Sequence, residues 1–406
     1  MSPALRNAVL LAAGLVCLSG MVQLAVALGT VTLVAVTGYK SILGLGPAVF
    51  LVAGAVAVGP AGRISDRVGR MAVIRTGFVF GIVGPAVTSF GCRWTSGVLV
   101  FIGLGFCGAA SAIVLLSRAA AAEMFPPARR ARGMSLVLFG AVSGAVFGPL
   151  VFGPIFAGRA FTPHDLAWPW LGSSVFALAG LVISFWVRPD PKVLGAAFST
   201  EAQHGVDAES LGTILRRPGV PTALLGALAS FAVMVGVMNL AGYVAVGHHH
   251  PHGSVFTIIS FHIVGMYGLI LFIGDLVEKL GRRRSIVIGL LLIAVSNVGL
   301  VWLTGIPGMS VSLFGLGLGW ALSYVAATTE LISLAAPSER GRLVGFSDLL
   351  SSFIGAALAL VGGLIYTAGG SVPLALVTGA LALVPAGWIM LVPSSLGDRL
   401  ARRAPA

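Results

Sequence analysis

Charged residues are scarce in this sequence. Only 9% of the 406 residues are Asp, Glu, Lys or Arg, whereas soluble globular proteins carry about 25%. Hydrophobic residues make up 57% and the mean hydropathy is +1.01, so the chain has more apolar side chains than one globular core can bury. The lack of charge argues against a soluble enzyme and against a nucleic-acid-binding protein, and it predicts a protein embedded in the lipid bilayer.

Cysteine is also scarce. The three cysteines are Cys17, Cys92 and Cys107, and an odd number cannot form a fully paired disulfide framework. Buried thiols commonly behave as small apolar residues, which is the plain interpretation of Cys17 and Cys107. The alternative is that one of these two residues helps to relay a metal ion.

Long apolar runs fill most of the chain. Twelve of them have about 20 residues, the length with which a helix crosses the hydrocarbon core of a bilayer. They form two groups of six. The sequence therefore predicts an all-α membrane protein with twelve transmembrane helices in two six-helix bundles, with an N-terminal bundle at 1–187, a cytoplasmic linker at 188–219 and a C-terminal bundle at 220–406. The runs are 7–28, 41–58, 71–91, 97–116, 134–158, 166–187, 220–246, 254–274, 285–303, 307–328, 343–367 and 372–392.

The basic residues are distributed unevenly between the predicted loops. Of the 25 Lys and Arg residues, only Lys40, Arg93 and Arg159 fall in one set of alternate loops, and the other 22 lie in the second set and near the two ends. Basic loops stay in the cytoplasm, so both termini are predicted to be cytoplasmic. The formal net charge of +12 then reflects topology and contact with anionic lipid, and no nucleic-acid partner is expected.

One loop motif occurs twice, 212 residues apart. Each copy reads glycine, acid, base, glycine and base at identical spacing, and a weaker repeat relates Glu123 to Glu330. Glycines allow a tight turn, and the acid can pair with a base at a neighbouring helix end. We therefore expect these loops to latch one conformation of the two halves. The latch residues are Gly62, Asp66, Arg67, Gly69, Arg70, Gly274, Glu278, Lys279, Gly281 and Arg282.

The duplicated loop and the twelve apolar runs resemble the major facilitator superfamily along essentially the whole chain. The resemblance implies a secondary transporter rather than an enzyme. It also implies that two bundles rock about a central site and expose it alternately to the two sides of the membrane. We expect a monomer with no permanently bound cofactor. The loop motif carries no information about the transported substrate.

The seventh and eighth runs contain two motifs with soft side chains, Met234-Val-Gly-Val-Met238 and His262-Ile-Val-Gly-Met266. The i, i+4 spacing puts both side chains of each pair on one face of a helix. Met238 and His262 each lie 12 residues from His250, near the centre of the connection, and Met234 and Met266 each lie 16 residues from it. In an antiparallel hairpin, this predicts that Met238 is level with His262. Thioethers and an imidazole suit Cu(I), whereas Mg²⁺ and Ca²⁺ prefer hard oxygen ligands.

The connection between these two runs is rich in histidine. His248, His249, His250 and His252 lie within five positions, on the predicted outer side of the membrane. Neutral imidazoles bind copper, nickel and zinc, so the loop is a candidate for metal capture. The alternative is a polar turn without a metal-binding role.

The Met and His positions resemble the hallmark of the CcoA-like copper importers of bacteria, which carry Met-x-x-x-Met on the seventh span and His-x-x-x-Met on the eighth. The resemblance covers Met234, Met238, His262 and Met266. It implies that copper is the transported substrate, that it is imported across the bacterial cytoplasmic (inner) membrane, and that it supplies cytochrome oxidase assembly. A cytoplasmic copper chaperone would be the partner that receives the ion.

A proton-coupled exporter of small molecules or drugs is the alternative function. The stretch 144–153 partly resembles the glycine and proline signature of such exporters, although Phe152 replaces an expected glycine. The first apolar run also lacks a carboxylate that could carry a proton. Asp348 and Glu330, near the predicted cytoplasmic ends of their runs, are the remaining candidates for coupling.

Overall fold

The protein is helical along the chain. The structure is a computed structural model, and it describes residues 2–126, 129–156, 162–196, 209–248, 250–251, 253–336 and 339–392. Within these residues, eleven helices are long and apolar enough to span a membrane, and a broken helix bent by 62° brings the number to twelve. The predicted fold class, an all-α membrane protein with twelve spans, is confirmed.

We number the spanning helices α1 to α12 in chain order. They are α1 Pro3–Thr37, α2 Leu45–Val68, α3 Arg70–Arg93, α4 Gly97–Leu115, α5 Arg132–Phe156, α6 Pro163–Ser184, α7 Val220–Gly247, α8 Ser254–Gly268 continued by Phe272–Leu280, α9 Arg282–Trp302, α10 Ile306–Leu334, α11 Arg340–Gly369 and α12 Ser371–Leu391. α1 is longer than the predicted apolar run at both ends. The Ser2 side chain caps its start, and the helix ends only at Gly38, whose φ is 76°.

Helices α1 to α6 pack mainly on one another, and so do α7 to α12. We call these two groups the N bundle and the C bundle. The α2–α3, α4–α5, α8–α9 and α10–α11 connections share one side of the molecule. We call this side the basic face, because it carries Arg67, Arg118, Arg282 and Arg340, and we call the opposite side the far face. Depth is counted from the far face toward the basic face.

Polar contacts attach the start of the predicted linker to the N bundle. The Asp190 carboxylate accepts hydrogen bonds from the backbone N–H groups of Arg70 at 3.1 Å and Met71 at 2.9 Å, at the start of α3. A carboxylate is favourable at this position because helix N-termini carry partial positive charge. Residues 197–208 lie outside the described part of the chain, and the limits of the two domains stay a prediction.

Arg217 attaches the other end of the linker to the C bundle. Its guanidinium donates to both carboxylate oxygens of Glu339, at 2.7 and 2.9 Å, and pairs with Glu209 at 3.0 Å. Two parallel charge-assisted hydrogen bonds give such a pair strength and a defined geometry. The hydrogen bonds from Arg217 hold the pKa of Glu339 down to about 2.

The two bundles are in close contact at the far face. A Cβ atom on Gly242 of α7 would lie 2.7 Å from the carbonyl oxygen of Ala27 on α1. Gly44, just before α2, packs against the backbone of Ala359 on α11 so closely that a Cβ atom would overlap it. Only glycine permits such backbone approaches. The far face is therefore closed in this conformation.

Substituting Gly44 by Val should prevent the far face from closing, because overpacking of this kind costs about 1–3 kcal/mol. The reporter is Thr30→Cys in protein whose native cysteines are replaced. Thr30 is 3% exposed and bonds to the Asn239 carbonyl oxygen across the bundle interface. A membrane-impermeant maleimide should label it roughly fivefold more in Gly44→Val.

The matched control is Gly59→Val in α2, the helix that follows Gly44, because a Cβ atom on Gly59 would have no atom within 4 Å. Its labelling should equal that of the parent protein. Unchanged labelling of Gly44→Val would contradict the closure described here.

Substituting Glu339 by Gln should destabilise the protein in a pH-dependent way. A carboxyl group whose folded-state pKa is lowered stabilises the fold above its unfolded pKa and loses this effect as the pH falls through its folded value. The ordinary pKa of a glutamate carboxyl group is 4.5, and the pKa of Glu339 in the folded protein is about 2. The difference in melting temperature between wild type and Glu339→Gln should therefore be constant down to about pH 4.5 and vanish toward pH 2.

Thermal unfolding in detergent at a series of pH values measures this difference. Glu278→Gln, which changes an exposed carboxylate, is the control and should show no such profile. A melting-temperature difference that persists at pH 2 would contradict the role of the Arg217 pair.

Candidate functional site

The four Met and His residues of the motifs lie inside the protein. His262 has no exposed surface, Met234 and Met266 expose 2% and 8%, and Met238 is half-buried. Met234 and Met238 belong to α7, and His262 and Met266 belong to α8. Burial keeps these side chains away from the lipid acyl chains, as a shared binding site requires.

One ring nitrogen of His262 has no hydrogen-bond partner among the described residues. Nδ1 lies 2.8 Å from the carbonyl oxygen of Leu313 on α10 and must donate its hydrogen, because a carbonyl can only accept. In a neutral imidazole, Nε2 then carries the lone pair. This buried Nε2 makes no hydrogen bond within the described chain. Metal-binding histidines usually donate their second N–H in this way, and the bond to Leu313 leaves the Nε2 lone pair of His262 available.

Two glycines bring α8 and α10 into backbone contact beside the imidazole. Gly265 packs on the carbonyl group of Phe314, and a Cβ atom on Gly317 would lie 2.9 Å from the backbone nitrogen of Met266. α8 also forms a π-turn at Val264–Gly268, a feature that often marks functional sites. The close approach sets the depth and rotation of α8 against α10.

A contact between α7 and α8 gives a common starting point for comparing the depths of the motif residues. A Cβ atom on Gly242 would lie 3.2 Å from Cγ1 of Val255. From this contact, Met234 is eight residues along α7 and His262 is seven residues along α8. At 1.5 Å per residue these positions are about 12 and about 10 Å deeper. By this count, His262 lies about 2 Å from the depth of Met234 and about 4 Å from that of Met238.

The sequence count puts Met238 level with His262, and the count from this contact puts the two about 4 Å apart in depth. Counted from the same contact, Met238 is about 6 Å deep and Met266 about 16 Å deep. Both counts treat the helix axes as parallel, but the count from the observed contact spans seven or eight residues instead of twelve, so crossing of the helices shifts it less. The residues form a descending series, with Met238 first, His262 and Met234 together, and Met266 last.

Other metal-binding side chains do not form a site in the described part of the chain. No group of three or more His, Cys, Asp or Glu residues there has the proximity that a metal ion requires. Cys17, Cys92 and Cys107 are free thiols, the first half-buried and the others buried. A metal ion in the described helical core would therefore depend on the methionine thioethers.

The histidine-rich connection is described in part. The ring centroids of His248 and His250 are 6.4 Å apart, and His250 Nε2 lies 2.6 Å from the Thr304 carbonyl oxygen. His249 and His252 lie outside the described residues. Metal capture by this loop stays a prediction.

The repeated loops build equivalent ion pairs within the two bundles. Arg70, at the start of α3, pairs with Glu123 at 2.7 Å, and Arg282, at the start of α9, pairs with Glu330 at 3.0 Å. Asp66 also pairs with Arg70, at 2.5 Å. Each pair connects neighbouring helices of one bundle, because each arginine begins a helix that packs beside the next helix of the same bundle.

Two of the four glycines of these loops form the turns. Gly69 and Gly281 have φ values of 103° and 84°, which only glycine adopts readily. Gly62 and Gly274 lie in the helix before each turn, where an added Cβ atom would have no neighbour within 4 Å, and Glu278 is exposed. A latch between the two bundles stays a prediction, since the ion pairs of these loops in the described chain lie within the bundles.

Gln23 of α1 is a second buried residue without polar partners. Neither amide atom makes a hydrogen bond within the described residues. A Cβ atom on Gly148 of α5 would lie 2.5 Å from Gln23 Nε2 and 3.0 Å from the Ser260 hydroxyl of α8. Gln23 therefore lies where the two bundles meet, close to the depth of His262.

A row of aromatic residues next to Met266 is not predicted by the sequence analysis. The Tyr267 ring lies 5.9 Å from that of Trp320, and Trp320 stacks on Tyr324 at 5.2 Å. Tyr324 donates a hydrogen bond to Asp348. The i, i+4 spacing of Trp320 and Tyr324 is the local signal for this row.

The twelve-helix arrangement and the repeated loops are those of a membrane transporter. The family model of the Major Facilitator Superfamily matches residues 9–360 and 253–404, and the chain belongs to this superfamily. It is a transporter and not an enzyme.

Known relatives and structures agree with this assignment. The chain is 30% identical over 343 residues to the uncharacterized MFS-type transporter YddS of Bacillus subtilis, covering 81% of this chain and 77% of the relative. It is 26% identical over 311 residues to the riboflavin transporter RfnT of Brucella anthropi, covering 76% of each. A D-xylose-proton symporter structure has a TM-score of 0.77 at 16% identity, covering 97% of this chain and 99% of that chain. A partially occluded inward open structure of the xylose transporter XylE from E. coli has a TM-score of 0.72 at 15% identity, covering 97% and 98%.

Two substitutions of His262 should separate its structural role from its role as a ligand. Alanine leaves the Leu313 carbonyl without its donor, and an unpaired buried acceptor costs about 1–3 kcal/mol. Asparagine offers an amide N–H near the position of Nδ1 but no lone pair at Nε2. We expect a lower melting temperature in detergent for His262→Ala and a nearly unchanged one for His262→Asn. A wild-type melting temperature for the alanine variant would contradict the role of the Leu313 hydrogen bond.

Proposed function

We propose that this secondary transporter imports copper, as Cu(I), by alternating access. The observation that carries the proposal is the buried Nε2 atom of His262, which has a lone pair and no hydrogen-bond partner in the described chain. By helix geometry it is within about 2 Å of the depth of Met234 and about one turn above Met266. Copper is the transported substrate in this proposal and not a bound cofactor.

The ligand types favour a soft monovalent cation. Thioether sulfur is polarisable and uncharged, and Cu(I) accepts it together with imidazole. Neutral ligands leave no buried anion behind when the cation departs, which matters in a low-dielectric interior. Zinc sites usually contain thiolates, several histidines or carboxylates, and the described residues contain no such group of three.

The series of side chains defines a route for the ion. His250 lies at the far-face end, followed in depth by Met238, by His262 with Met234, and by Met266. From Met238 to Met266, successive members differ in depth by about 2 to 4 Å, so the ion can pass from one ligand to the next over this part of the route. The far face is closed in this conformation, so the ion would leave toward the basic face when the bundles rock.

The direction and destination rest on the resemblance to the CcoA-like importers. The ion would move from the far face to the basic face of a bacterial cytoplasmic membrane, with both termini in the cytoplasm because basic loops remain there. It would pass to a cytoplasmic copper chaperone and serve cytochrome oxidase assembly. The transporter would act as a monomer, with the far-face histidines gathering the ion.

A small organic molecule is the second candidate substrate. The relative from Brucella anthropi is named as a riboflavin transporter. Aromatic side chains offer stacking surfaces to a planar solute, and Tyr267, Trp320 and Tyr324 form such a row here. Proton-coupled export of drugs, to which the partial signature at 144–153 points, belongs to the same class.

Uptake of radioactive copper into proteoliposomes, with ascorbate to keep copper as Cu(I), tests the proposal. The double variant Met234→Leu with Met238→Leu, and separately His262→Asn, should lower uptake roughly tenfold or more, since changes in supporting residues alone cost 10–100-fold in metal affinity. The control is Met309→Leu, a fully buried methionine of α10 outside the motifs, which should transport normally.

Each possible result favours one candidate. Normal copper uptake by His262→Asn and by the double methionine variant would overturn the copper proposal. Riboflavin uptake or dye efflux by the wild type, without copper uptake, would support the organic substrate instead.

A further inference from the structure

A row of side chains continues from the candidate copper route toward the basic face. Tyr267 follows Met266 on α8, and its ring lies 5.9 Å from Trp320; Trp320 stacks on Tyr324 at 5.2 Å, with 17° between the ring planes. The Tyr324 hydroxyl donates to one carboxylate oxygen of Asp348 on α11. The row therefore links the last methionine of the route to an acidic side chain.

Asp348 also faces the other bundle. Its second carboxylate oxygen lies 3.8 Å from the guanidinium of Arg118, which follows α4 in the N bundle, and the two side chains are 37% and 39% exposed. The other ion pairs of the described basic face, those of Arg70, Arg217 and Arg282, lie within one bundle or its adjoining linker. We call the Arg118–Asp348 pair the clasp, because it is the described ion pair that joins the two bundles at this face.

Two buried polar atoms near the clasp have no hydrogen-bond partner within the described residues. They are Trp320 Nε1 and Ser351 Oγ. Trp320 lies four residues before Tyr324, and Ser351 lies three residues after Asp348, spacings that put each on the same helix face as its neighbour. Buried polar atoms normally have a protein, water or ligand partner. Trp320 Nε1 can only donate and the Ser351 hydroxyl can donate or accept, so water, including the water shell of a cation, could satisfy both.

We propose that Asp348 is a second cation-binding position on the exit route, where the cargo cation takes the place of Arg118. The identity of the cargo as Cu(I) rests on the proposed function. Opposite charges attract and like charges repel, so the cation and the guanidinium compete for the same carboxylate. The faces of Trp320 and Tyr324 attract cations as well, which favours passage from Met266 along the row.

This exchange couples movement of the cargo to opening of the basic face. While the cation is at Asp348, the clasp is broken and no longer holds the two bundles together. A carboxylate is a hard ligand and binds Cu(I) weakly, so the ion leaves into the water that reaches this partly exposed side chain. Arg118 then returns to Asp348 and the clasp forms again.

The clasp is tested first without copper, with the Thr30→Cys reporter of far-face opening. The clasp stabilises conformations with a closed basic face, and in alternating access the far face opens only from such conformations. Arg118→Gln and Asp348→Asn should each lower maleimide labelling roughly two- to fivefold, the effect expected of an exposed ion pair. The matched control is Asp275→Asn, an exposed acid of α8, which should label as the parent protein does. Unchanged labelling of both clasp variants would overturn the clasp.

The cation-binding role is tested by adding Cu(I) to the same proteins. In the parent protein, copper should lower labelling to the level of Arg118→Gln. Asp348→Glu keeps a carboxylate and should respond to copper, whereas Asp348→Asn should not. The exchanged pair, Arg118→Asp with Asp348→Arg, should recover labelling in the absence of copper but not copper uptake.

The outcomes distinguish this inference from the proposed function. A full copper response in Asp348→Asn, or full copper uptake by the exchanged pair, would overturn Asp348 as a cation-binding position while leaving copper transport intact. Copper without effect on labelling in every protein, the parent included, together with absent uptake, would overturn the copper function and the second position with it. The labelling without copper would still decide whether the clasp exists.

Discussion

A polar group in the interior of a bilayer must find its partners within the protein, and this constraint organises the whole molecule. Most of the charge is confined to the basic face, where Arg70 and Arg282 are paired with acids of neighbouring helices. Deeper in the bundles, most serine and threonine hydroxyls donate hydrogen bonds to carbonyl oxygens of their own helices. The exceptions are informative. Among the described residues with unpartnered buried atoms, Gln23 and His262 lie at similar depth and Trp320 lies nearer to the basic face. A transported species could complete their hydrogen bonds or coordination.

Close approach of helices at glycine gives the His262 site its geometry. Lipid supplies no hydrophobic force between spans, so their association depends on packing and on small residues that let backbones touch. Gly265 and Gly317 hold α8 against α10 and so aim the His262 ring at Leu313. The same type of contact at Gly44 and Gly242 closes the far face. The binding geometry and the conformational change therefore rest on the same physical property of the chain.

Membership of the Major Facilitator Superfamily establishes transport but leaves the substrate to a few side chains, because one fold hosts many specificities. Two sets of such side chains lie in sequence along the C bundle. Neutral sulfur and nitrogen atoms occupy the buried part, where a fixed anion would be costly. Aromatic rings and then Asp348 follow nearer to the basic face, where water reaches the carboxylate. Soft neutral groups in the interior favour tight binding of a soft cation, and a hard charged group near the basic face favours its release. The aromatic part of the same series is also what favours an organic solute as the second candidate.

The twelve spans and their two repeated halves could be predicted from the sequence, because bilayer thickness sets helix length. The pairing of the four Met and His residues on helix faces could be predicted too, because i, i+4 spacing sets the face. The sequence also indicated Arg70 and Arg282 as equivalent positions, since their loops share one spacing. The packing of the helices was needed to show that Nε2 of His262 is the unpartnered nitrogen and that Asp348 meets a residue of the other bundle. Each of these depends on where helices distant in the chain cross, and helix crossing is set by side-chain volumes on both partners, which the pattern within one helix does not encode.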